Sequence, residues 1–398
     1  MLESTKEQKE KLEKDLAERV AADKLPVAKI MVAGITGTGK STLINAVFGK
    51  ELAETGSGRP VTEHIDEYQN EDIPIHIWDT VGLELDSEKT KESINSIKKT
   101  ITLKAESNNP YDRIHAIWYC INSGSNRYQG AELEFIKELY SMGVPFIIVL
   151  TQCSGDEDEV NKFENEIKKI NASMGMNNIE IVQVLAKQVK YRGIAVPIPE
   201  FGLDDLVNTT LRLLPEFIKS GFVAAQRINQ IEKRKECEKI IYEYVSAVQS
   251  GLWRKIAIIN VYMTDKKIMN MFQKIGQMYN TVLSEAQMEK IMSTCNVDFA
   301  NKFWGLISPI SMGYSKKITN LLERKKAEGF SVAVADIKKN ERAARMVAFY
   351  GYIFIESIEE LWEKSTDEKL EDVDVVVNQL ITIINEKLRE RKAKVERR

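Results

Sequence analysis

The pattern of apolar positions changes near residue 218 of this 398-residue chain. From residue 26 to 217, short apolar runs of strand length alternate with segments in which apolar residues recur every three or four positions. Beyond that point the helical spacing continues and glycine and proline become rare. The first pattern predicts an α/β domain, a mostly parallel six-stranded sheet with helices on both faces. The second predicts an all-α domain.

The elements of the α/β part can be placed from these runs. The predicted strands are 27–33, 64–70, 73–79, 114–121, 145–151 and 179–185. The predicted helices are 41–48, 87–105, 130–141, 160–173 and 203–213. A short turn at Glu71 and Asp72 separates the second and third strands, so we expect these two to form an antiparallel hairpin.

Three domains follow from this pattern: a charged helix over 1–25, the α/β domain over 26–217 and a helical domain over 218–398. In the first, Leu12, Leu16 and Val20 form a narrow apolar stripe, which fits either a helix docked on the body or a partner-binding arm. The basic tail at 387–398 fits a solvated helix end or a segment attracted to an anionic surface.

The first predicted strand leads into the sequence GITGTGKS, which matches the phosphate-binding loop G-x-x-x-x-G-K-S. Glycines let the backbone N–H groups wrap around phosphate oxygens. Lys40 supplies a positive charge to the β- and γ-phosphates, and the Ser41 hydroxyl can bind Mg²⁺. The predicted phosphate-binding residues are Gly34, Thr36, Gly37, Thr38, Gly39, Lys40, Ser41 and Thr42.

A second motif, Asp79-Thr80-Val81-Gly82, ends the apolar run 75–78 about forty residues after this loop. A carboxylate at the end of a buried strand can hold Mg²⁺, and the Gly82 N–H can contact the γ-phosphate. Between the two motifs, the glycine-containing segment 56–62 is predicted to be a mobile loop that presents Thr62 to Mg²⁺ and to the γ-phosphate. A plain Gly-Ser surface loop is the alternative.

These motifs make the chain resemble the translation-factor-like class of GTPases, in its Era-like and dynamin-like branch. The resemblance lies in GITGTGKSTLINAVFG, RPVTEHIDEY, IWDTVGLE, IHAIWYCINSGSNR, VPFIIVLTQ and FGLDDLVNTTLRLLPE. The last two stretches resemble bacterial GTPases with a helical DUF697-like C-terminal domain, and immunity-related GTPases are more distant relatives. The resemblance implies GTP and GDP as ligands, Mg²⁺ held by Ser41, Thr62 and Asp79, and a nucleotide-driven switch.

The base-reading segment departs from this class. Relatives carry N/T-K-x-D after the strand at 145–150, whereas this chain has Thr151, Gln152, Cys153 and Ser154. The aspartate that would accept from guanine N1–H and N2–H is therefore absent at Ser154, although the Gln152 stem can lie along the base. Asp156 or Asp158 could replace it. The pair Ala186 and Lys187 fits the last base-binding motif of the class.

The hydrolytic residues also depart from the class. Leu83 follows Gly82 where many GTPases carry a glutamine that orients water, so intrinsic hydrolysis should be slow. Gly37 stands where potassium-activated relatives carry asparagine. Arg59, three residues before Thr62, is a candidate for stabilising transition-state charge in cis, and Glu84 is a weaker candidate for positioning water. The predicted catalytic residues are Lys40, Thr62, Gly82 and Arg59.

Composition narrows the setting of this activity. The formal net charge of −3 gives no global argument for nucleic acid, and three histidines make a histidine-rich metal site implausible. Four well-separated cysteines fit reduced thiols in the cytoplasm, and no apolar leader or run of transmembrane length is found. The most apolar run, 347–355, fits a buried core helix or, as the alternative, an interfacial membrane contact.

The sequence therefore predicts a cytoplasmic, Mg²⁺-dependent GTPase switch whose nucleotide state is coupled to its helical domain. The expected partners are a guanine nucleotide, a second copy of the chain in a nucleotide-dependent dimer or oligomer, and a protein bound by the helical domain. Two alternatives stay open: a nucleotide-gated scaffold with little hydrolysis, which Leu83 favours, and a dynamin-like GTPase peripheral to a membrane.

Overall fold

The computed structural model describes residues 24–49, 59–62, 65–69, 73–80, 87–107, 109–125, 128, 130–191, 196–249, 262–294, 341–364 and 373–396. The chain divides into two compact units, Pro26–Gln230 and a second that comprises Met1–Leu25 and Ile231–Arg398. In their described parts the first unit is α/β and the second is helical. The predicted fold class is thereby confirmed. The predicted helix over 1–25 lies outside the described residues, except for Lys24 and Leu25.

One sheet forms the centre of the first unit. Its strands are β1 (Ala28–Gly34), β2 (Arg59–Thr62), β3 (Ile65–Gln69), β4 (Ile75–Thr80), β5 (Ala116–Asn122), β6 (Phe146–Thr151) and β7 (Glu180–Gln183). They are ordered β2-β3-β4-β1-β5-β6-β7. The neighbours from β4 to β7 pair in parallel, and β3 pairs antiparallel with β4, which confirms the predicted hairpin. All six predicted strands are present.

Over the described residues the sheet has seven strands rather than six, because part of the segment predicted as a mobile loop forms the edge strand β2. It pairs antiparallel with β3, with Arg59 opposite Glu67 and Thr62 opposite Ile65, and its register shifts between Pro60 and Thr62. Proline cannot donate to a ladder and is therefore tolerated at a sheet edge. The glycines of 56–62 led to the prediction of a loop.

In the described part of this unit, six α-helices cover the two faces of the sheet. They are α1 (Lys40–Phe48), α2 (Ser87–Ala105), α3 (Ala131–Ser141), α4 (Glu157–Ser173), α5 (Leu203–Leu213) and α6 (Glu216–Ala225). Alternate strand residues point to opposite faces, so the sheet forms two cores. Helices α1, α5 and α6 pack on the face that carries Ile30 and Trp118, and α2, α3 and α4 pack on the face that carries Met31 and Tyr119.

Helix α6 belongs to the α/β unit, although the sequence placed the boundary at residues 217 and 218. Its residues Ile218, Phe222 and Ala225 are fully buried in the core that α1 and α5 cover. A Cβ atom at Gly221 would lie 1.7 Å from the Pro26 carbonyl oxygen, so only glycine allows the helix to pass this close to the chain entering β1. The unit consequently extends to Gln230.

The second unit contains five described helices. They are α7 (Gln230–Gln249), α8 (Tyr262–Met278), α9 (Glu285–Thr294), α10 (Glu341–Lys364) and α11 (Val373–Glu396). Their packing combines apolar and ionic contacts: Phe272 stacks on Phe354 with ring centroids 4.4 Å apart, and Arg234 pairs with Glu359. Tyr279 donates to the same carboxylate over 2.9 Å.

The apolar run at 347–355 lies within α10. Its side chains Val347, Phe349, Tyr352, Phe354 and Ile355 are all buried in the helical unit, which confirms the prediction of a core helix. Among the residues that the structure describes, no helix combines the length and the apolar character that crossing a bilayer requires.

One acidic side chain is buried in the core between the sheet and α3. Glu132 accepts a hydrogen bond of 3.2 Å from the Tyr119 hydroxyl, and the relative exposure of Glu132 is 6%. Burial raises the pKa of Glu132 to about 7, against the smaller opposing effect of the hydrogen bond from Tyr119. The folded state therefore binds a proton more tightly at this site than the unfolded chain does.

This shift predicts a pH dependence of stability. The contribution of Glu132 is fully present below the ordinary pKa of glutamate and is lost as the pH rises through about 7. Between pH 5 and pH 8, the free energy of unfolding of the wild type should fall by about 2 kcal/mol more than that of Glu132→Gln. Urea unfolding at both pH values measures the difference.

The matched control is Glu134→Gln, because Glu134 is exposed on the same helix. It should follow the wild-type pH profile. If Glu132→Gln also follows that profile, the buried carboxyl does not have a raised pKa.

Candidate functional site

The phosphate loop joins β1 to α1 through three glycines with positive φ. Gly34, Gly37 and Gly39 have φ values of 145°, 82° and 85°, a region that favours glycine. At Gly34 a Cβ atom would lie 2.4 Å from the Cys120 carbonyl oxygen of the neighbouring strand. The loop can therefore leave the sheet only where glycine occupies this position.

Two side chains fold back on this loop. The Thr38 hydroxyl donates to the Ile35 carbonyl over 2.8 Å. The Lys40 ammonium is buried and donates to the Gly34 carbonyl over 3.1 Å and to the Ile35 carbonyl over 3.5 Å. An ammonium group beside the amino terminus of α1 gives this loop the charge and the N–H donors of an anion site. Thr36, Ser41 and Thr42 are exposed around it.

Two residues at the end of β6, Thr151 and Gln152, contact the phosphate loop. The Thr151 hydroxyl lies 2.5 Å from the Thr38 carbonyl oxygen and 3.2 Å from the Ile121 carbonyl oxygen. The Gln152 amide donates to the Gly37 carbonyl over 2.8 Å, and Gln152 adopts a left-handed backbone with φ 56°. Thr151 and Gln152, two of the predicted base-binding residues, are therefore in direct contact with the phosphate loop.

Asp79 and Ser41 meet beside the amino terminus of α1, where a cation was predicted. The Ser41 hydroxyl lies 3.5 Å from Asp79 Oδ2, and Asp79 Oδ1 is buried with no hydrogen-bond partner among the described residues. Burial raises the pKa of Asp79 to about 6, partly offset by the nearby Lys40 charge. A buried carboxylate oxygen without a donor, next to a hydroxyl, suits a hard cation such as Mg²⁺.

The residues predicted to read the base lie past the ends of β6 and β7. Ser154 is half-buried, and its hydroxyl lies 2.8 Å from the Tyr191 hydroxyl. Ala186 is half-buried and Lys187 is exposed in the segment that follows β7. Asp156 caps α4 by accepting from the backbone N–H groups of Asp158 and Glu159, which explains its presence without a role in base reading.

Three predicted residues are placed only in part. Arg59 and Thr62 lie at the two ends of β2, on a strand rather than in a loop, and their side chains are outside the described part of the structure. Gly82 lies outside the described residues altogether. The roles of these residues stay predictions.

Two residues near the site carry no motif signal. Tyr191 follows Lys187 in a segment without regular structure, so only the fold brings it to Ser154. Asp66 stands opposite Asp79 in the ladder between β3 and β4, and its charge contributes to raising the Asp79 pKa. The hairpin prediction could have indicated this pairing, because antiparallel strands place residues directly opposite each other.

One protein family matches part of the chain in sequence. Residues 29–152, about a third of the chain, match the family model described as 50S ribosome-binding GTPase. This part of the chain is therefore similar in sequence to a P-loop GTPase domain, a class of domain that binds guanine nucleotides. No curated protein matches the chain.

Solved structures of GTPases are similar to part of the chain at low identity. Era in complex with MgGDPNP and a 16S ribosomal RNA segment is 19% identical, with 56% of this chain and 67% of that chain covered and a TM-score of 0.34. A probable GTP-binding protein EngB is 20% identical, with 47% and 98% covered and a TM-score of 0.31. Bacterial selenocysteine-specific elongation factor EF-Sec is 19% identical, with 48% and 29% covered and a TM-score of 0.32. The domain assignment rests on the sequence match alone.

The contact of Thr151 with the phosphate loop predicts a loss of stability when the Thr151 hydroxyl is removed. Thr151→Val keeps the shape of the side chain but leaves the buried Thr38 and Ile121 carbonyls without this donor. The free energy of unfolding should fall by about 1–3 kcal/mol, as measured by denaturant titration.

Thr100→Val provides the control, since among the described residues the Thr100 hydroxyl bonds only to the Ser96 carbonyl of its own helix. It should change the unfolding free energy by no more than about 0.5 kcal/mol. Equal effects of the two variants would show that the contact with the loop contributes nothing.

Proposed function

We propose that the chain is a Mg²⁺-dependent switch that binds and hydrolyses GTP. The observation that carries the proposal is the position of the Asp79 carboxylate, 3.5 Å from Ser41 at the amino terminus of α1. This arrangement joins an anion site to a cation site, as a magnesium nucleoside triphosphate requires. The GTPase family match over residues 29–152 supports guanine as the base.

In this proposal each residue of the loop has a separate task. The backbone N–H groups of 36–42 hold the phosphates, and Lys40 exchanges its carbonyl partners for phosphate oxygens. Ser41 and Asp79 would hold Mg²⁺, which when bound offsets negative charge on the phosphate oxygens. Thr62 and Gly82 are proposed to contact the γ-phosphate, so that its loss on hydrolysis releases the segments that carry them.

The hydrolytic rate depends on residues outside this core. Leu83 cannot hydrogen-bond to a water molecule, so we expect slow intrinsic turnover. Arg59 is proposed to compensate by reaching the charge that develops in the transition state. Reaction consists of water attack on the γ-phosphate, for which the protein supplies position and charge.

The nucleotide state is proposed to act through the helical unit on self-assembly of the chain or on binding of a protein partner. The sequence stretches that resemble GTPases with a DUF697-like domain support this part of the proposal. A third possibility is a dynamin-like association with a membrane surface. Binding of the GTP-loaded protein to liposomes would favour it.

A nucleotide-gated scaffold is the second candidate function, and Leu83 is the observation that favours it. The two candidates differ in turnover. Phosphate release that rises with protein concentration indicates assembly-stimulated hydrolysis, whereas GTP binding without phosphate release at any concentration indicates the scaffold.

The proposed phosphate site predicts that Lys40→Ala weakens GTP binding by about 10- to 100-fold, because a charge-assisted contact to the phosphates is lost. Isothermal titration of the nucleotide-free protein measures the affinity. Lys99→Ala is the control, since Lys99 is exposed on α2, and it should bind GTP as the wild type does.

The cation site is tested in the same titrations by comparing Mg²⁺ with EDTA. Mg²⁺ should strengthen GTP binding to the wild type by about tenfold or more, and Asp79→Asn should remove most of this gain. An equal gain in the variant would mean that Asp79 does not hold the cation. Wild-type affinity in Lys40→Ala would contradict the phosphate site itself.

A further inference from the structure

Ser154 stands where the resemblance places the aspartate of the base-reading motif, and its hydroxyl is paired with the Tyr191 hydroxyl. The Ser154 and Tyr191 hydroxyl oxygens lie 2.8 Å apart. The Tyr191 hydroxyl also donates to the Ser154 backbone carbonyl over 3.0 Å. Tyr191 is 41% exposed, and both contacts lie at the surface.

The number of hydroxyl protons in this pair determines how many hydrogen-bond acceptors it can present to a ligand. A tyrosine hydroxyl has one proton, and here that proton lies on the Ser154 carbonyl. The Ser154 hydroxyl must then donate to the Tyr191 oxygen across the 2.8 Å contact. Both oxygens keep an unused lone pair, so the pair presents two neighbouring acceptors without a negative charge.

The pair is connected to the phosphate loop by the chain itself. Thr151 and Gln152, the two residues at the end of β6, bond to the Thr38 and Gly37 carbonyls of that loop. Ser154 follows two residues later, and its backbone N–H donates to the Gln152 carbonyl over 2.7 Å. A ligand whose phosphates occupy the loop extends along the carboxyl edge of the parallel strands, toward this pair.

We propose that Ser154 and Tyr191 together read the edge of the base at N1 and C2, and that their neutrality makes the site tolerant of the group at C2. The inference rests on the proposed function, since it concerns the base of the same nucleotide. It assigns the substrate class as 6-oxopurine nucleoside triphosphates with an amino, hydrogen or oxo group at C2. Tyr191 is the specificity-determining residue that this assignment adds.

The chemistry of hydroxyls explains the tolerance. Guanine presents N1–H and N2–H donors, which the two oxygens can accept. Hypoxanthine lacks the amino group and leaves one neutral acceptor unused, which costs less than an unused charge. Xanthine presents an oxygen at C2, and the Ser154 hydroxyl can turn its proton from the Tyr191 oxygen to that oxygen, whereas a carboxylate can only repel it.

The test compares GTP, ITP and XTP in calorimetric titrations of the full chain with Mg²⁺. The wild type should bind ITP and XTP within about tenfold of GTP, because only neutral hydrogen bonds distinguish them. Ser154→Asp should weaken XTP relative to GTP by a further tenfold or more, roughly the effect of a charged acceptor.

Tyr191→Phe removes one acceptor and the contact to the Ser154 carbonyl. It should weaken GTP by about 3- to 10-fold and ITP by less than about twofold, because only GTP has the second donor. Tyr111→Phe is the control: Tyr111 is similarly exposed, at 44%, but precedes the amino end of β5. Its affinities should equal those of the wild type, and thermal unfolding should verify that all variants are folded.

The outcomes separate the two proposals. A wild type that prefers GTP over ITP or XTP by more than about tenfold overturns the proposed neutral base-reading pair, as does a Tyr191→Phe variant with the affinities of Tyr111→Phe. Failure of the wild type to bind any of the three nucleotides overturns the proposed function, and this inference with it.

Discussion

Parallel pairing of β1 with β4 and β5 is the constraint on which the site depends. The register sets Val32 beside Asp79 and Gly34 beside Cys120, so the phosphate loop and the acidic side chain leave the sheet at the same edge. Asn122 is likewise beside Thr151, which brings the end of β6 to that edge. Residues that are distant in sequence meet there because the carboxyl ends of parallel strands coincide.

Packing beneath the edge holds the anion-binding end of α1 in place. Phe48, at the other end of this helix, stacks on Trp118 with ring centroids 5.7 Å apart and meets Phe222 edge-on at 6.0 Å. The Trp118 indole donates to the Thr210 hydroxyl over 3.0 Å, so this buried N–H is satisfied. Helix α1 is thus held by the apolar contacts of Phe48 at one end and by the contacts of Thr151 and Gln152 with the phosphate loop at the other.

The sequence predicted the structure correctly where a single local signal, such as an apolar run or a glycine in a tight loop, determines the backbone. The apolar runs located six strands, and the loop glycines at 34, 37 and 39 all have positive φ. The prediction was wrong at β2, because the glycines of 56–62 indicated a loop, whereas the pairing of this segment with β3 at the sheet edge has no signal in the local sequence. The Ser154–Tyr191 contact had no local signature, since it depends on how two segments without regular structure come together.

Hydrogen exchange followed by mass spectrometry tests most directly whether a magnesium nucleoside triphosphate occupies this edge of the sheet. Exchange of the amides in residues 36–42 should slow on addition of Mg²⁺ and GTP, because these N–H groups become donors to phosphate oxygens. GDP or EDTA should give weaker protection. Unchanged exchange at 36–42, with protection appearing elsewhere in the chain, would contradict the account.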